Sequence, residues 1–161
     1  MKLFSAKDFS EYFIIVGSGR LGANLANTLS DEGGNVLIID KDKNAFRKLS
    51  PSFGGLAVTG DGTDFDVLQE AQIDKADVLV VVTNNDNTNV MIAQIAKEIF
   101  KVKRVIARLY DPERGCIYRE FGIDTICPAV LSAKEIDKML SRSCSVDEGN
   151  KAACVLEEET K

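Results

Sequence analysis

The sequence contains no histidine at all. That removes the commonest general base, the imidazole half of a Cys–His nucleophile pair, and a usual zinc ligand. Cysteine is sparse: Cys116, Cys127, Cys144 and Cys154 are widely separated and make no C-x-x-C pair. They read as reduced, structural thiols. No apolar run approaches the roughly 18 residues that would cross a bilayer. Residues 1–8 break their apolar character too early for a secretory leader, so a cytoplasmic location is expected. Positive charge is in the minority, with a net charge of −5 and a pI near 4.9. That balance argues against a nucleic-acid partner.

What remains is an ordinary soluble domain of 161 residues, 45% of them hydrophobic, organised around one stretch. The apolar run Ile14-Ile15-Val16 ends in Gly17-Ser18-Gly19-Arg20-Leu21-Gly22, a G-x-G-x-x-G pattern with a helical pattern behind it. In such a motif the first glycine permits the tight strand-to-helix turn. The second removes the side chain that would block a pyrophosphate, and the third lets helix and strand pack closely. The helix start then offers unpaired N–H groups and a partial positive charge to phosphate. A second apolar run, Val36-Leu37-Ile38-Ile39, ends in Asp40, at about the 20-residue spacing from which an acid reaches the ribose hydroxyls.

The chain continues in the same rhythm. Strands are expected at residues 12–16, 36–39, 56–58, 78–82, 104–109 and 123–126. Helices are expected from Leu21 to Leu29, at 45–49, through Val67, Leu68 and Ala71, through Val90, Met91, Ile95, Ile99 and Phe100, after Asp111-Pro112, and at 129–140. The stretch 83–89 reads as a polar loop rich in capping residues. This β-α alternation predicts an α/β, Rossmann-like, doubly wound parallel sheet of six strands in the order 3-2-1-4-5-6. The expected organisation is a lead-in at 1–11, a nucleotide-binding domain at 12–140, and a tail at 141–161 too short for a second domain.

Ligands of such sheets bind at the carboxyl ends of the strands. There, Arg20 either swings over a phosphate or stays a solvated arginine at the helix start. Asp40 reads as the ribose ligand in preference to a surface carboxylate, and its charge disfavours NADP. Asp61 reaches the adenine edge or merely shapes its turn. Thr83 and Asn84 close the fourth strand beside the pyrophosphate and can donate hydrogen bonds. Arg108, a charge inside strand five, requires a bound phosphate or a carboxylate, since buried arginine is rare without a partner.

Several pieces together resemble the nucleotide-binding half of the regulator-of-K⁺-conductance family, the domain of the Trk and Ktr potassium-uptake regulators. They are the glycine stretch 17–22, Asp40-Lys41-Asp42, Gly60-Asp61-Gly62-Thr63-Asp64, the run from Asp77 through Thr83-Asn84-Asn85-Asp86-Asn87-Thr88-Asn89, and Val105-Ile106-Ala107-Arg108. The resemblance covers residues 12–133. It implies a Rossmann domain that binds NAD(H) or an adenine nucleotide (ATP, ADP or AMP) and controls transport without catalysis. It further implies a place on the cytoplasmic face of a membrane K⁺ channel or transporter, as a homo-oligomer or paired with a longer regulatory subunit.

Carried over by position, the resemblance gives Gly17, Ser18, Gly19, Arg20, Leu21 and Gly22 the phosphates, Asp40 the ribose and Asp61 the adenosine end. Thr83, Asn84 and Arg108 line the remaining phosphate or nicotinamide side, and Lys41 and Gly60 join the binding positions. The competing expectation is an NAD-dependent oxidoreductase. Against it stand the missing substrate domain, the missing histidine and the lack of a lysine–tyrosine pair for proton transfer. A third reading is an interaction module that keeps its nucleotide as a fixed structural cofactor.

Overall fold

The computed structural model describes residues 11–141. The lead-in and the tail expected from the sequence lie, but for Glu11 and Ser141, outside the described residues. Six strands form one parallel sheet in the order β3-β2-β1-β4-β5-β6, as the alternation predicts. They are β1 (Tyr12–Val16), β2 (Asn35–Asp40), β3 (Leu56–Thr59), β4 (Val78–Val81), β5 (Arg104–Arg108) and β6 (Asp124–Ile126). The helices are α1 (Arg20–Asp31), α2 (Phe65–Glu70), α3 (Asp86–Gln94), α4 (Gly115–Glu120) and α5 (Pro128–Ser141).

The central strands are apolar on both faces because helices cover both. Alternation along β1 sends Ile14 and Val16 to one face, where they meet Leu68, Leu79, Ile92 and Val105 under α2 and α3. Phe13 and Ile15 go to the other, with Ala26 and Leu29 of α1, Val80 and Val82. Burial of this kind contributes roughly 25 cal/mol per Å² of apolar surface removed from water. It also leaves the ends of the central strands, rather than their faces, as the place where polar groups of the sheet gather.

Three local differences from the sequence expectations have physical causes. The segment expected as a helix at 45–49 is a 3-10 turn, Lys43–Lys48, entered when the Asp42 side chain accepts from the Asn44 amide. The polar stretch 83–89 is only half loop, because Asn85 caps α3 through the Thr88 amide and the helix already runs from Asp86. At its far end α3 passes into a π turn, Ile95–Ile99. The wider turn shifts the phase of the side chains, so Ile95 is buried while Ile99, expected on the same face, is exposed. α5 buries no residue and leaves Leu131, Ile136, Met139 and Leu140 on the surface.

Candidate functional site

The register of the sheet places the carboxyl ends of all six strands in one row. Val16 pairs with Ile39 and with Val81, Asp40 with Thr59, Val81 with Ala107, and Arg108 with Ile126. One residue further along, Gly17 therefore lies between Asp40 and Val82, and Arg108 lies beyond Val82. Neighbouring strands run about 4.8 Å apart, so Arg108 stands roughly 10 Å from Gly17, on the side away from Asp40. An acid, a glycine turn and a base thus follow one another across the sheet.

The three glycines of the turn differ in what holds them there. Gly17 has φ +106°, and a Cβ there would lie 3.0 Å from the Thr83 nitrogen and from the Val82 carbonyl carbon. At Gly22 a Cβ would fall on the Gly17 carbonyl oxygen. Both are required by the protein itself. Gly19 is not: its φ is −71°, and a Cβ there would meet nothing within 4 Å. The space in front of it is open, and α1 begins behind it without a capping side chain or an acidic residue in its first turn. α2 and α3, by contrast, are capped by Asp64 and Asn85. Uncapped amides at a helix start bind anions.

Around the turn, Ser18 is wholly buried, its hydroxyl donating to the Ala45 carbonyl at 3.2 Å and its amide to Asp40 Oδ2 at 2.6 Å. Its place is in holding the loop. Arg20 is exposed at the first position of α1, and Leu21 packs its side chain on the α1 face of the core, leaving only its backbone to the turn. Asp40 Oδ1 also accepts from the Asp42 amide at 2.9 Å.

The loop after β3 stands beside Asp40, with the Gly60 amide donating to the Asp40 carbonyl at 3.0 Å. Asp61 Oδ1 accepts from the Thr63 amide at 2.9 Å and the Thr63 hydroxyl at 2.8 Å, and Lys41 approaches Oδ2 at 3.4 Å. The Thr63 amide, then its hydroxyl, then Lys41 hold the Asp61 carboxyl below the usual aspartate range. It is a charged group in its own turn.

On the other side, sequence reasoning passed over Asn89. Its side chain is fully buried and uses both ends. Oδ1 accepts from the Thr83 amide at 3.0 Å and the Thr83 hydroxyl at 2.6 Å. Nδ2 donates to the carbonyls of Thr83 at 3.2 Å and Arg108 at 2.9 Å. Asn89 therefore joins the ends of β4 and β5 and turns the Thr83 donors inward, while Asn84 stays exposed. In the sequence it was marked only by its place in the capping-rich stretch and in the run that carries the family resemblance, neither of which gave it a role.

Arg108 lies two residues beyond Ile106, which packs on the α1-side core, so the two share that face. Its Nε is buried without a hydrogen-bond partner among the described residues. Its guanidinium carbon sits 4.3 Å from the centre of the Tyr110 ring. The open space at Gly19, the uncapped amides and this orphaned donor all fit a phosphate-bearing ligand. A cavity of about 210 Å³ lies elsewhere, among Leu109, Arg119, Thr125, Cys127 and Val130, and contains none of these residues.

The chain is 43% identical over 131 residues to the Trk system potassium uptake protein TrkA of Streptomyces coelicolor, covering 81% of this chain and 57% of that protein. It is 33% identical over 132 residues to a TrkA homolog of Methanothermobacter thermautotrophicus, covering 81% of this chain and 61% of that protein. The chain thus spans somewhat more than half the length of these curated relatives. Among solved structures it is similar to the GsuK channel bound to NAD, at 27% identity and a TM-score of 0.69, over 81% of this chain and 23% of that one. GsuK bound to ADP matches at the same identity and TM-score, over 81% of this chain and 34% of that one. The TrkA-N domain model matches residues 13–128, and the chain belongs to the TrkA-N domain family.

Proposed function

We propose that this chain is a nucleotide-binding regulatory domain of a K⁺ uptake system, taking NAD(H) or an adenine nucleotide across the row of strand ends. The observation that carries the reading is the open space at Gly19, set before an uncapped helix start between Asp40 and Arg108. The helix amides and Arg20 take the phosphates, and Asp40 takes the ribose hydroxyls. Asp61 with Gly60 and Lys41 borders the adenosine end, and Arg108 takes the far phosphate or nicotinamide side. Thr83 and Asn84 close that side. The names of the relatives support K⁺ uptake as the process served, and the ligands named for GsuK support both nucleotide classes.

The domain works without catalysis, from the cytoplasmic face, against a membrane K⁺ transporter or channel subunit, as a homo-oligomer or beside a longer regulator. No helix among the described residues is long and apolar enough to cross a membrane. A ligand shifts such an assembly only by binding one of its states better than another. The test is thermal stability with ATP, ADP, AMP, NAD and NADH at matched concentrations. Binding stabilises by RT ln(1 + [L]/Kd), about 2.7 kcal/mol at one hundred times Kd. A ligand-selective rise supports the reading, and no rise with any of the five overturns it.

A further inference from the structure

Arg108 is held in an unusual way for a half-buried cation. Among the described residues no carboxylate pairs with it, and its Nε is enclosed without an acceptor. Among the described residues, the guanidinium instead lies over the face of Tyr110, its carbon 4.3 Å from the ring centre. The backbone that carries the ring is itself held. The Tyr110 amide donates to both oxygens of Asp86 at 2.9 Å, and the Tyr110 carbonyl accepts from Cys127 Sγ at 3.5 Å. Asp86 opens α3, so the helix that carries Asn89 holds the Tyr110 backbone as well as the end of β5. Tyr110 is about half exposed, at 52%, so filling the core does not explain its position.

A carboxylate partner would hold an arginine equally well, but would neutralise it and occupy its N–H donors. A ring face holds the guanidinium plane through its quadrupole and uses none of the five donors. Charge and the terminal N–H groups, unlike the enclosed Nε, then stay available to an incoming anion.

We propose that Tyr110 is a positioning residue for the nucleotide site, holding Arg108 flat and unneutralised so that its donor edge meets the phosphate-bearing part of the ligand. This rests on the nucleotide-binding reading above and deepens it. Arg108 touches the ligand; Tyr110 acts through Arg108.

The experiment is calorimetric titration of ADP and of NADH into the whole chain and into Tyr110→Phe, Tyr110→Leu, Arg108→Ala and the Arg108→Ala/Tyr110→Leu double variant. Circular dichroism and melting without ligand serve as the folding control. Phenylalanine keeps the ring face, so Tyr110→Phe is expected to bind within about twofold of the parent. Tyr110→Leu is expected to lose about fivefold for whichever nucleotide the parent binds, the size of an exposed to half-buried cation–π contact. In the Arg108→Ala background the leucine change is expected to cost nothing further, because the residue it acts through is gone. A parent that binds neither nucleotide overturns the site itself. A binding parent whose leucine variant binds equally well, or loses the same factor with and without Arg108, overturns the role of Tyr110 alone. A leucine variant that melts well below the parent without ligand would make Tyr110 structural and also overturn it.

Discussion

The carboxylate of Asp40 accepts the amide proton of Ser18 at 2.6 Å, so the acid that ends β2 holds the glycine turn that follows β1. Its other oxygen accepts from the Asp42 amide. An ionised carboxylate offers about four lone-pair sites, and two remain for ribose hydroxyls. Asparagine keeps one oxygen and would have to give up part of this set. Asp40→Asn is therefore expected to weaken NADH and ADP by a similar factor, about tenfold, because the ribose is common to both. It should also raise NADPH relative to NADH, since the negative charge facing a 2′-phosphate is gone. Titration of the three ligands checks this, and an unchanged NADH affinity would remove Asp40 from the ribose site.

Gly19 and Gly22 separate function from folding. A methyl group at Gly19 meets nothing, and the residue has an ordinary φ, so Gly19→Ala should cost at most about 1 kcal/mol, through its weaker capping. It should nevertheless weaken nucleotide binding, because the methyl group enters the open space before the α1 amides. Gly22→Ala drives its Cβ into the Gly17 carbonyl and should destabilise the fold by about 3 kcal/mol, as overpacking against fixed backbone does. Urea unfolding beside ligand titration reads both. Equal stabilities for the two variants would contradict this division.

The same division shows what a sequence can carry. The strand order was legible because strands buried on both faces read as unbroken apolar runs, such as Val78-Leu79-Val80-Val81, and each is followed by a helical pattern. The two glycines that the backbone itself requires were legible through their spacing. The Asp111 cap, which accepts from the Glu113 amide, was legible through the proline behind it. Asn89 was not. A polar residue in a polar stretch does not announce that its amide will close on a carbonyl of the neighbouring strand, nor that the helix has already begun at Asp86. Tyr110 was hidden for the same reason, because its stacking on Arg108 depends on how Asp86 turns the chain after β5. Long-range satisfaction of polar groups is a property of the folded neighbourhood, not of the local pattern.

Asn89 is accordingly expected to matter more than its surroundings suggest. Asn89→Leu has a similar volume but strands the Thr83 amide, the Thr83 carbonyl and the Arg108 carbonyl against a buried side chain, in a half-buried place. Each unsatisfied group costs about 1–3 kcal/mol, so a loss of about 3 kcal/mol or more is expected. Asn89→Asp keeps the acceptor but turns a charged oxygen on two carbonyls, and should be no better tolerated. Denaturant unfolding of both variants is the check. A loss below about 1 kcal/mol in either would mean that these groups find other partners.

At the opposite end of the sheet, Asp77 gives a prediction in pH. Its Oδ2 accepts the Tyr12 amide at 3.1 Å and its Oδ1 accepts Lys103 Nζ at 3.0 Å. Its backbone joins the same corner, the amide donating to the Tyr12 carbonyl and the carbonyl accepting from Arg104. The Tyr12 amide first, and Lys103 second, hold the carboxyl below the ordinary aspartate range. A carboxyl whose folded value is depressed binds its proton more readily in the unfolded chain. Its stabilisation is therefore present in full above the unfolded value, about 3.9, and is lost as pH falls through the lower folded value. Asp77→Asn keeps an acceptor for the Tyr12 amide and loses the charge. It should cost less than about 1 kcal/mol at pH 7, because the Lys103 pair is largely exposed. The gap between parent and variant should then close as pH is lowered below about 4. Urea unfolding in steps from neutral to acid pH measures that gap directly, and a gap of constant size across the range would show that the charge on Asp77 does not stabilise this corner.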